Sequence, residues 1–332
     1  MKHAVFSAAA ALVFVVLMAM IQKIGLASAK SAAAAEALHG APAETGTVQA
    51  AQDAPGGRDY DGSHQIRVLQ GETLREMDLR TYLTGVLLAE LPDSFAPEAK
   101  KAQAIACRTY ALRCGLHSRH DRAAVCTDST CCQGWTDPES VSPSRRADAE
   151  AAVRATDGLV LRYGGELIDA TFFSCSGGRT EAAVEVWGSD APYLQAVDSP
   201  GEEQAPHDTD EIRVPLGEFQ DRLREENPDV VFPPAQGAWI GAVSRTAGGG
   251  VDQIELGGRV FSGRTVRRLF SLRSTAFTLT LTGDEAIFET RGYGHRVGMS
   301  QYGAEAMAEA GKTCAEILAW YYRGAQLAPA ED

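Results

Sequence analysis

The chain lacks an excess of basic residues. Its 332 residues include 31 Lys and Arg against 44 Asp and Glu, which gives a formal net charge of -13 at pH 7. No cluster of basic side chains interrupts this acidic balance. An acidic chain of this kind is a poor partner for phosphate backbones, so the composition argues against nucleic acid as the ligand. A neutral polymer or a small molecule suits it better.

The chain has few cysteines, and their number, seven, is odd. A complete set of intramolecular disulfides is therefore excluded. Cys107 and Cys114 share a face of a predicted helix but lie about 10 Å apart along its axis, beyond the reach of a disulfide. We interpret these two cysteines as packing residues.

A long apolar run lies at the amino terminus. Residues 4–21 are interrupted only by Ser7, and a helix of 18 residues spans about 27 Å, just enough to cross a bilayer. We predict a membrane segment over residues 1–30, retained as a single-pass anchor, with the rest of the chain outside the cytoplasm. The alternative is a cleaved signal peptide, because Ala27-Ser-Ala resembles a cleavage site.

The composition after this segment predicts three further regions. Residues 31–62 are rich in Ala, Gly, Thr and Asp without hydrophobic periodicity, which is typical of a flexible linker. Residues 63–326 form the predicted catalytic domain, and residues 327–332 a tail. Helices and short strands follow one another there without strict alternation, including hairpins at Gly164-Gly165 and Gly257-Gly258 and a strand over 166–173. This pattern predicts an α+β fold.

One carboxylate stands where an apolar residue would be expected. A stripe with helical spacing precedes it, formed by Leu79, Leu83, Val86 and Leu87. Glu90 continues the stripe, and Pro92 ends the helix just beyond it. Burial raises the pKa of a carboxyl group, which suits a proton donor near neutral pH. Glu90 is therefore a candidate catalytic acid; a frayed last turn that exposes it to water is the alternative.

A second helix is predicted from Pro97 to Gly115. Its face of small residues permits close packing against the first helix: Ala99, Ala102, Ala106 and Thr109. Arg108 lies on this helix, where it would meet Glu90 or a substrate, unless it is a solvated charge.

Four potential metal ligands lie within a short stretch of chain: His120, Cys126, Cys131 and Cys132. Zinc prefers thiolates with an imidazole, and four protein ligands make a closed, structural site. Such a zinc ion would hold a loop rather than cleave bonds. Disulfide chemistry is the alternative, because a location outside the cytoplasm permits it.

Two polar motifs contain several glycines. The first follows a predicted strand and offers hydroxyl and amide groups for a substrate groove at Ser176, Gly177, Gly178, Thr180 and Glu181. The second spans residues 292–304, where polar and aromatic side chains suit sugar recognition: His295, Ser300, Gln301 and Tyr302. The first motif is equally consistent with a structural turn, and a single histidine such as His295 in the second is more often structural than catalytic.

Residues 64–324 resemble the stage II sporulation protein D (SpoIID/LytB) family, membrane-tethered enzymes that act on bacterial peptidoglycan. Four segments in the family's order carry the likeness: Glu90-Leu-Pro within residues 82–112, and the runs 176–188, 193–200 and 294–304. By this resemblance, Glu90 matches the essential acid and Arg108 a functional arginine. The two glycine motifs match the borders of a glycan groove between two lobes.

Two positions depart from the family pattern. Zinc-bearing members carry His and Cys at the positions of His120, Cys126 and Cys132, with a histidine where this chain has Cys131. That exchange keeps a competent ligand but changes the charge of the site. The chain also has Arg296 where a glycine is usual, which leaves the local backbone conformation open.

The resemblance implies a lytic transglycosylase that cleaves the bond between N-acetylmuramic acid and N-acetylglucosamine, leaving 1,6-anhydro ends. Glu90 would serve as the single general acid and base, since hydrolytic glycosidases use two carboxylates. The implied setting is sporulation, in septal wall remodelling during engulfment. Peptide-stripped glycan strands would be the substrate, with an amidase and other septal wall proteins as partners.

Three alternatives remain at this point. A zinc hydrolase of the peptide bridges would use the His120 cluster, although four ligands leave no open coordination position. A noncatalytic wall-binding scaffold would bind glycan without forming anhydro products. A two-carboxylate glycosidase would need a partner for Glu90, for which the sequence offers Asp93, Glu98 and Glu181.

Overall fold

The structure, a computed structural model, describes residues 59–331. The predicted membrane segment and the linker as far as residue 58 lie outside the described residues. Within residues 59–331, no helix is both long and apolar enough to cross a membrane.

The first part of the described chain combines short strands with three longer helices. Its elements are α1 (Tyr60–Ser63), β1 (Gln65–Gln70), β2 (Thr73–Asp78), α2 (Leu79–Glu90), α3 (Pro97–Leu116), β3 (Val125–Cys126), α4 (Pro143–Ala155), β4 (Leu159–Tyr163), β5 (Glu166–Leu167), β6 (Phe172–Phe173) and α5 (Ala183–Trp187). The Asp78 side chain caps α2 by accepting from the Thr81 N–H at 2.9 Å, and Pro97 begins α3.

The second part is richer in strands. Its elements are β7 (Thr209–Pro215), α6 (Leu216–Glu226), β8 (Ile240–Arg245), β9 (Val251–Leu256), β10 (Arg259–Ser262), α7 (Gly263–Leu269), β11 (Phe277–Leu281), β12 (Glu285–Arg291), β13 (Met299–Ser300), α8 (Gln301–Glu309), α9 (Cys314–Tyr321) and β14 (Gln326–Pro329). Three-stranded sheets run in the orders β2-β1-β3, β10-β9-β8, β11-β12-β7 and β14-β4-β5, and β13 pairs with β6. This mixture of helices and mainly antiparallel strands confirms the α+β class.

Two hydrophobic cores organise these elements. In the first, the apolar faces of α2 and α3 pack with α4, β1 and β3. In the second, Phe219 of α6, Phe288 of β12 and Phe270, which directly follows α7, pack together; the rings of Phe270 and Phe288, for example, have centroids 4.8 Å apart. Burial of these faces supplies most of the driving force for folding.

The loop after β3 is held against the first core beside α2. A Cβ atom at Gly85 would lie 2.1 Å from the Trp135 indole Nε1, so only glycine permits this approach. The Thr136 N–H also donates to the Gly85 carbonyl at 3.0 Å. The loop therefore lies directly against α2, the helix that ends at Glu90.

Several element boundaries differ from the sequence predictions. Residues 60–62, assigned to the linker, belong to helix α1, in which Asp61 is fully buried. Residues 327–329 of the predicted tail lie in β14, which pairs with β4. The predicted strand 166–173 is two short strands, β5 and β6, because the residues between them, including Asp169, are not in a strand.

Candidate active site and metal centre

A cleft of ≈580 Å³ lies at the end of α2. The parallel pairing of β6 with β13 brings the start of α8 to the same place, since Phe173 is the partner of Ser300. The side chains that give the cleft its chemical character are Glu90, Arg119, Asp169, Trp187, Tyr293, His295 and Gln301. Distant parts of the chain thus meet at Glu90.

Glu90 is the last residue of α2 and is partly buried in the cleft wall. Its Oε1 accepts from the Gly134 N–H at 2.7 Å, and its Oε2 accepts a long hydrogen bond of 3.4 Å from Gln301 Nε2. Burial raises the pKa of Glu90 above its ordinary value, and the two hydrogen bonds oppose this only in part. The carboxyl group therefore holds a proton to a higher pH than an exposed glutamate.

The loop that delivers the Gly134 N–H has little freedom. The Tyr82 hydroxyl donates to Gln133 Oε1 at 3.0 Å inside the first core. A Cβ atom at position 134 would lie 3.0 Å from Glu90 Oε1. Glycine at this position lets the backbone approach the carboxylate closely, which fixes the orientation of Oε1.

The four predicted metal ligands meet on the neighbouring part of this loop. The ligand atoms of His120, Cys126, Cys131 and Cys132 all lie within 4.8 Å of one another. His120 Nε2 is 3.5 Å from Cys132 Sγ and 3.8 Å from Cys131 Sγ. Ligand atoms at about 2.0–2.3 Å from a tetrahedral zinc ion are separated by about 3.3–3.8 Å. The donor set and its spacing fit zinc.

The protonation of the cluster also bears on metal binding. Burial raises the pKa of Cys132 to about 12, so its thiolate forms near neutral pH only when a cation takes the place of the proton. All seven cysteines of the chain are free thiols in the structure.

Arg108 lies away from the cleft, contrary to the expectation that it meets Glu90 or a substrate. Its fully buried guanidinium donates to both oxygens of Asp61, at 2.8 and 2.6 Å. It also donates to the Leu159 carbonyl at 3.0 Å and lies within 3.4 Å of the Thr156 hydroxyl. This bidentate pair joins α1 to the first core, which gives Arg108 a structural role.

The structure brings His295 and Gln301 of the glycine motifs to Glu90 but not the other predicted residues. Ser176, Thr180, Glu181 and Ser300 are buried. They make internal hydrogen bonds, such as that from Ser176 Oγ to Glu202 Oε2 at 2.8 Å. Gly177, Gly178 and Tyr302 also do not line the cleft. Ser174, the first residue of the first motif, does line it.

The partner carboxylates considered for a two-carboxylate mechanism also lie elsewhere. Asp93 pairs with Arg145 at 2.5 Å, and Glu98 pairs with Lys101 at 2.7 Å. Glu181 is fully buried against Arg296. None of the three carboxylates lines the cleft, and the second carboxylate there is Asp169.

Comparison with known proteins supports the resemblance found in the sequence. The family described as SpoIID, stage II sporulation protein, matches residues 70–163. The chain is 33% identical over 270 residues to "Stage II sporulation protein D" of Bacillus subtilis (strain 168), covering 78% of this chain and 77% of that protein. The chain belongs to the SpoIID family. The protein of the same name from Bacillus amyloliquefaciens matches equally well, at 33% identity over 270 residues.

A more distant relative extends the likeness. The "Amidase enhancer" of Bacillus subtilis (strain 168) is 28% identical over 300 residues, covering 74% of this chain and 40% of that protein. The segment that matches the SpoIID family directly includes Glu90, Arg108 and the four-residue His/Cys cluster. It ends before Asp169 and the glycine motifs.

Arg296, where a SpoIID member is expected to have glycine, adopts a φ of 64°. This left-handed conformation is costly for a residue with a side chain, and glycine adopts it at a lower cost. Its guanidinium compensates with bonds to the Ser176 and Arg179 carbonyls, both at 2.7 Å, and an ion pair with Glu181 at 3.1 Å. The local turn therefore persists despite the substitution.

The cleft residues that sequence reasoning did not single out include four with polar, charged or large aromatic side chains: Arg119, Asp169, Trp187 and Tyr293. Trp187 and Tyr293 are large, and 38% and 39% exposed, but exposure of single aromatics leaves no periodic signal. Asp169 lies at the break between β5 and β6, where an uninterrupted strand was predicted. A polar residue inside that apolar run was the available sign of the break.

Proposed function

We propose that the protein is a lytic transglycosylase that cleaves N-acetylmuramic acid–N-acetylglucosamine bonds in peptidoglycan, with Glu90 as the single general acid and base. The observation that carries this proposal is a cleft glutamate whose pKa is raised by burial and whose Oε2 has only a long hydrogen bond. A protonated carboxyl group open to a cleft is what general acid catalysis requires.

In this proposal the two carboxyl oxygens of Glu90 have separate tasks. The Gly134 N–H donates to Oε1 at 2.7 Å, whereas Oε2 accepts only the 3.4 Å bond from Gln301, so we assign the proton to Oε2. In the first step Oε2 protonates the glycosidic oxygen as the bond to the anomeric carbon breaks. In the second step the Glu90 carboxylate takes the proton of the muramic acid 6-hydroxyl, and that oxygen bonds to its own anomeric carbon. No water is consumed, and Glu90 regains its proton.

Aromatic side chains in the cleft suit sugar rings. The Trp187 ring lies 5.2 Å from the His295 ring, which in turn lies 5.7 Å from Phe173. Burial lowers the pKa of His295 to about 4, and its Nδ1 accepts from the Val297 N–H at 3.1 Å. His295 is therefore neutral and positioned for packing, and we assign it to sugar binding beside Trp187.

A zinc ion would be held by His120, Cys126, Cys131 and Cys132. It would supply a rigid cross-link and no catalytic group, since four protein ligands close its coordination. Gln133 and Gly134 directly follow Cys132 in the chain. A zinc ion on Cys132 would therefore help to hold the Gly134 N–H that orients Glu90.

The cellular setting is also part of the proposal. The names of two relatives favour a role in sporulation. Wall remodelling at the septum during engulfment is what the family resemblance implies, and we include it in the proposal. The apolar run over residues 4–21 favours a membrane anchor with the catalytic domain outside the cytoplasm. An amidase that strips peptides from the wall would supply the glycan strands, and it and other septal wall proteins are the proposed partners.

Asp169 favours a second candidate function. A carboxylate in the same cleft as Glu90 is the arrangement used by glycosidases that add water to the broken bond. Burial raises the pKa of Asp169 despite the opposing effect of Arg113 and Arg119. The two functions share a substrate and differ in the product.

Mass spectrometry of digested glycan distinguishes these functions. Purified wall, intact or stripped of peptides, is incubated with the full-length protein and with the Glu90→Ala variant. A transglycosylase releases muramyl ends lighter by one water than the reducing ends of a hydrolase. Anhydro ends that depend on Glu90 support the proposal. Reducing ends support hydrolysis, and wild-type turnover by Glu90→Ala contradicts the role of Glu90.

A further inference from the structure

Arg119 is the only lysine or arginine among the described residues that line the cleft. Its side chain makes no ion pair and no hydrogen bond with any of residues 59–331, and the residue is exposed. Other arginines nearby are engaged: Arg113, for example, donates to the Leu167 carbonyl at 2.7 Å. The cleft therefore contains one cation whose donors are all available to a ligand.

The backbone that carries Arg119 is held in place. The Ser118 hydroxyl accepts from the His120 N–H at 2.9 Å and donates to the Ala123 carbonyl. His120 belongs to the four-residue cluster that fits zinc. Arg119 thus projects from a fixed turn, which reduces the entropy lost when its guanidinium binds a ligand.

The neighbouring carboxylate does not neutralise this cation. Asp169 lies near enough for Arg119 to influence its ionisation, but the two side chains form no ion pair. No donor among residues 59–331 bonds to the Asp169 carboxylate. The Arg119 guanidinium, with its planar fork of donors, is suited to bidentate binding of a carboxylate.

We propose that Arg119 binds the carboxylate of the lactyl group on N-acetylmuramic acid. This inference rests on the proposed function, because it takes a glycan strand as the ligand of the cleft. Among the sugars of such a strand, muramic acid alone carries this acidic substituent. The carboxylate is free when the peptide has been removed and becomes a neutral amide when a peptide is attached. Arg119 therefore makes the cleft prefer peptide-stripped strands.

Binding measurements with a chemically matched ligand pair test this proposal. All variants carry Glu90→Gln to prevent turnover. Isothermal titration uses a peptide-stripped glycan oligomer with free lactyl carboxylates, and the same oligomer converted to methyl amides. We expect the carboxylate form to bind about tenfold more tightly, as for a charge-assisted hydrogen bond. Adding Arg119→Gln should remove this preference, and Arg119→Lys should retain part of it.

Arg122 provides the matched control. It is an exposed arginine three residues away that lines a separate groove of ≈660 Å³ and not the cleft. Arg122→Gln should keep the tenfold preference. Equal binding of the two oligomers before Arg119 is changed, or an equal loss for both oligomers on Arg119→Gln, would overturn the proposal. Thermal denaturation of each variant shows whether it is folded.

The same samples separate the failure of this proposal from failure of the proposed function. Mass spectrometry after each titration detects any cleaved oligomer. Cleavage by the Glu90→Gln protein contradicts the role of Glu90. A missing charge preference without cleavage contradicts the assignment of Arg119 alone.

Discussion

Glu90, which is partly buried, and Glu202, which is buried, are two glutamates with different surroundings. Glu202 is 3% exposed, and its Oε2 accepts from the Ser176 N–H at 2.5 Å, from Ser176 Oγ at 2.8 Å and from the Gly177 N–H at 3.2 Å. The Ser199 hydroxyl donates to its other oxygen. Glu90 has one short hydrogen bond and one long one, and faces a cleft.

Burial raises the pKa of both carboxyl groups, so a raised pKa does not distinguish a catalytic from a structural glutamate here. The distinguishing feature is the number of acceptor positions that the protein itself fills. Glu202 is saturated by donors of the fold, whereas Glu90 keeps Oε2 accessible to a ligand. Arg108 and Arg119 show the same contrast. Arg108 forms a buried ion pair with Asp61, whereas the Arg119 side chain lines the cleft and has no ion-pair or hydrogen-bond partner among the described residues.

The largest expected effect is the loss of glycan cleavage in the Glu90→Gln variant, which tests the role given to Glu90 in this comparison. The amide keeps the shape and the acceptor for Gly134 but cannot donate the catalytic proton, so cleavage should fall by about 10³-fold. The free energy of unfolding should stay within about 0.5 kcal/mol of the wild type. Release of anhydromuramyl ends and urea unfolding measure the two quantities.

Glu202→Gln is the matched control for that variant. The new amide N–H₂ would face the Ser176, Gly177 and Ser199 groups that donate to the carboxylate of Glu202. The unsatisfied donors should lower the free energy of unfolding by about 1–3 kcal/mol. Cleavage per folded molecule should be preserved. Loss of cleavage in a fully folded Glu202→Gln protein would break the distinction between the two glutamates.

The next effect is on stability, at Arg108. Arg108→Met leaves Asp61 buried without its partner, which should cost about 3–5 kcal/mol in the free energy of unfolding. The double variant with Asp61→Leu should recover much of this loss, because an apolar pair can replace a buried ion pair. Thermal and urea unfolding measure both variants. An Arg108→Met protein that is stable but inactive would show that Arg108 acts in catalysis.

Removal of the metal should have a smaller effect. If zinc is present at a hundred times its dissociation constant, a chelator should lower the free energy of unfolding by about 2.7 kcal/mol. Cleavage should fall by less than in Glu90→Gln, because the metal only supports the loop that carries Gly134. Native mass spectrometry counts the bound metal, and Cys126→Ser is the matching variant. Unchanged stability on loss of a bound zinc ion would contradict a structural role.

Local patterns in the sequence predicted part of the site. The helical spacing of α2 identified the face that carries Glu90, because one helix face is encoded within twelve residues. The His/Cys cluster was predictable for the same reason, since its ligands are close in sequence. The role of Arg108 was not predictable, because Asp61 lies 47 residues away and in a segment that reads as linker. The position of Arg108 on its helix indicates which face of the helix the side chain occupies, but it does not identify the residue with which the side chain pairs.

The second carboxylate of the cleft was missed for a related reason. Asp169 reaches the cleft because β5 ends at Leu167 and β6 begins at Phe172, a break that strand propensity did not reveal. The convergence of Glu90, Asp169 and Gln301 depends on the pairing of β6 with β13, whose sequence separation exceeds 120 residues. Such pairings are set by tertiary packing rather than by local periodicity.

The smallest expected effect is the pH dependence of stability. The folded-state pKa of Glu90 lies above its ordinary value of 4.5, so the native state binds this proton more tightly than the unfolded chain. The contribution to stability is therefore complete at low pH and is lost as the pH rises through the folded-state pKa. The difference in the free energy of unfolding between wild type and Glu90→Gln should shift in that direction. The contributions of Asp61, Asp169 and Glu202 to the pH dependence are the same in both proteins and therefore cancel in this difference.

The pH dependence of the rate separates the two glutamates further. Cleavage needs the protonated form of Glu90, so kcat/KM should decline as the pH rises through the same raised pKa. Glu202 has a raised pKa of its own, so Glu202→Gln should change the pH dependence of stability while leaving the pH profile of kcat/KM in place. A rate profile that moves with Glu202 would place its proton in the reaction. A profile that depends on Glu90 alone would confirm that the open Oε2 position, rather than burial, makes a glutamate catalytic in this protein.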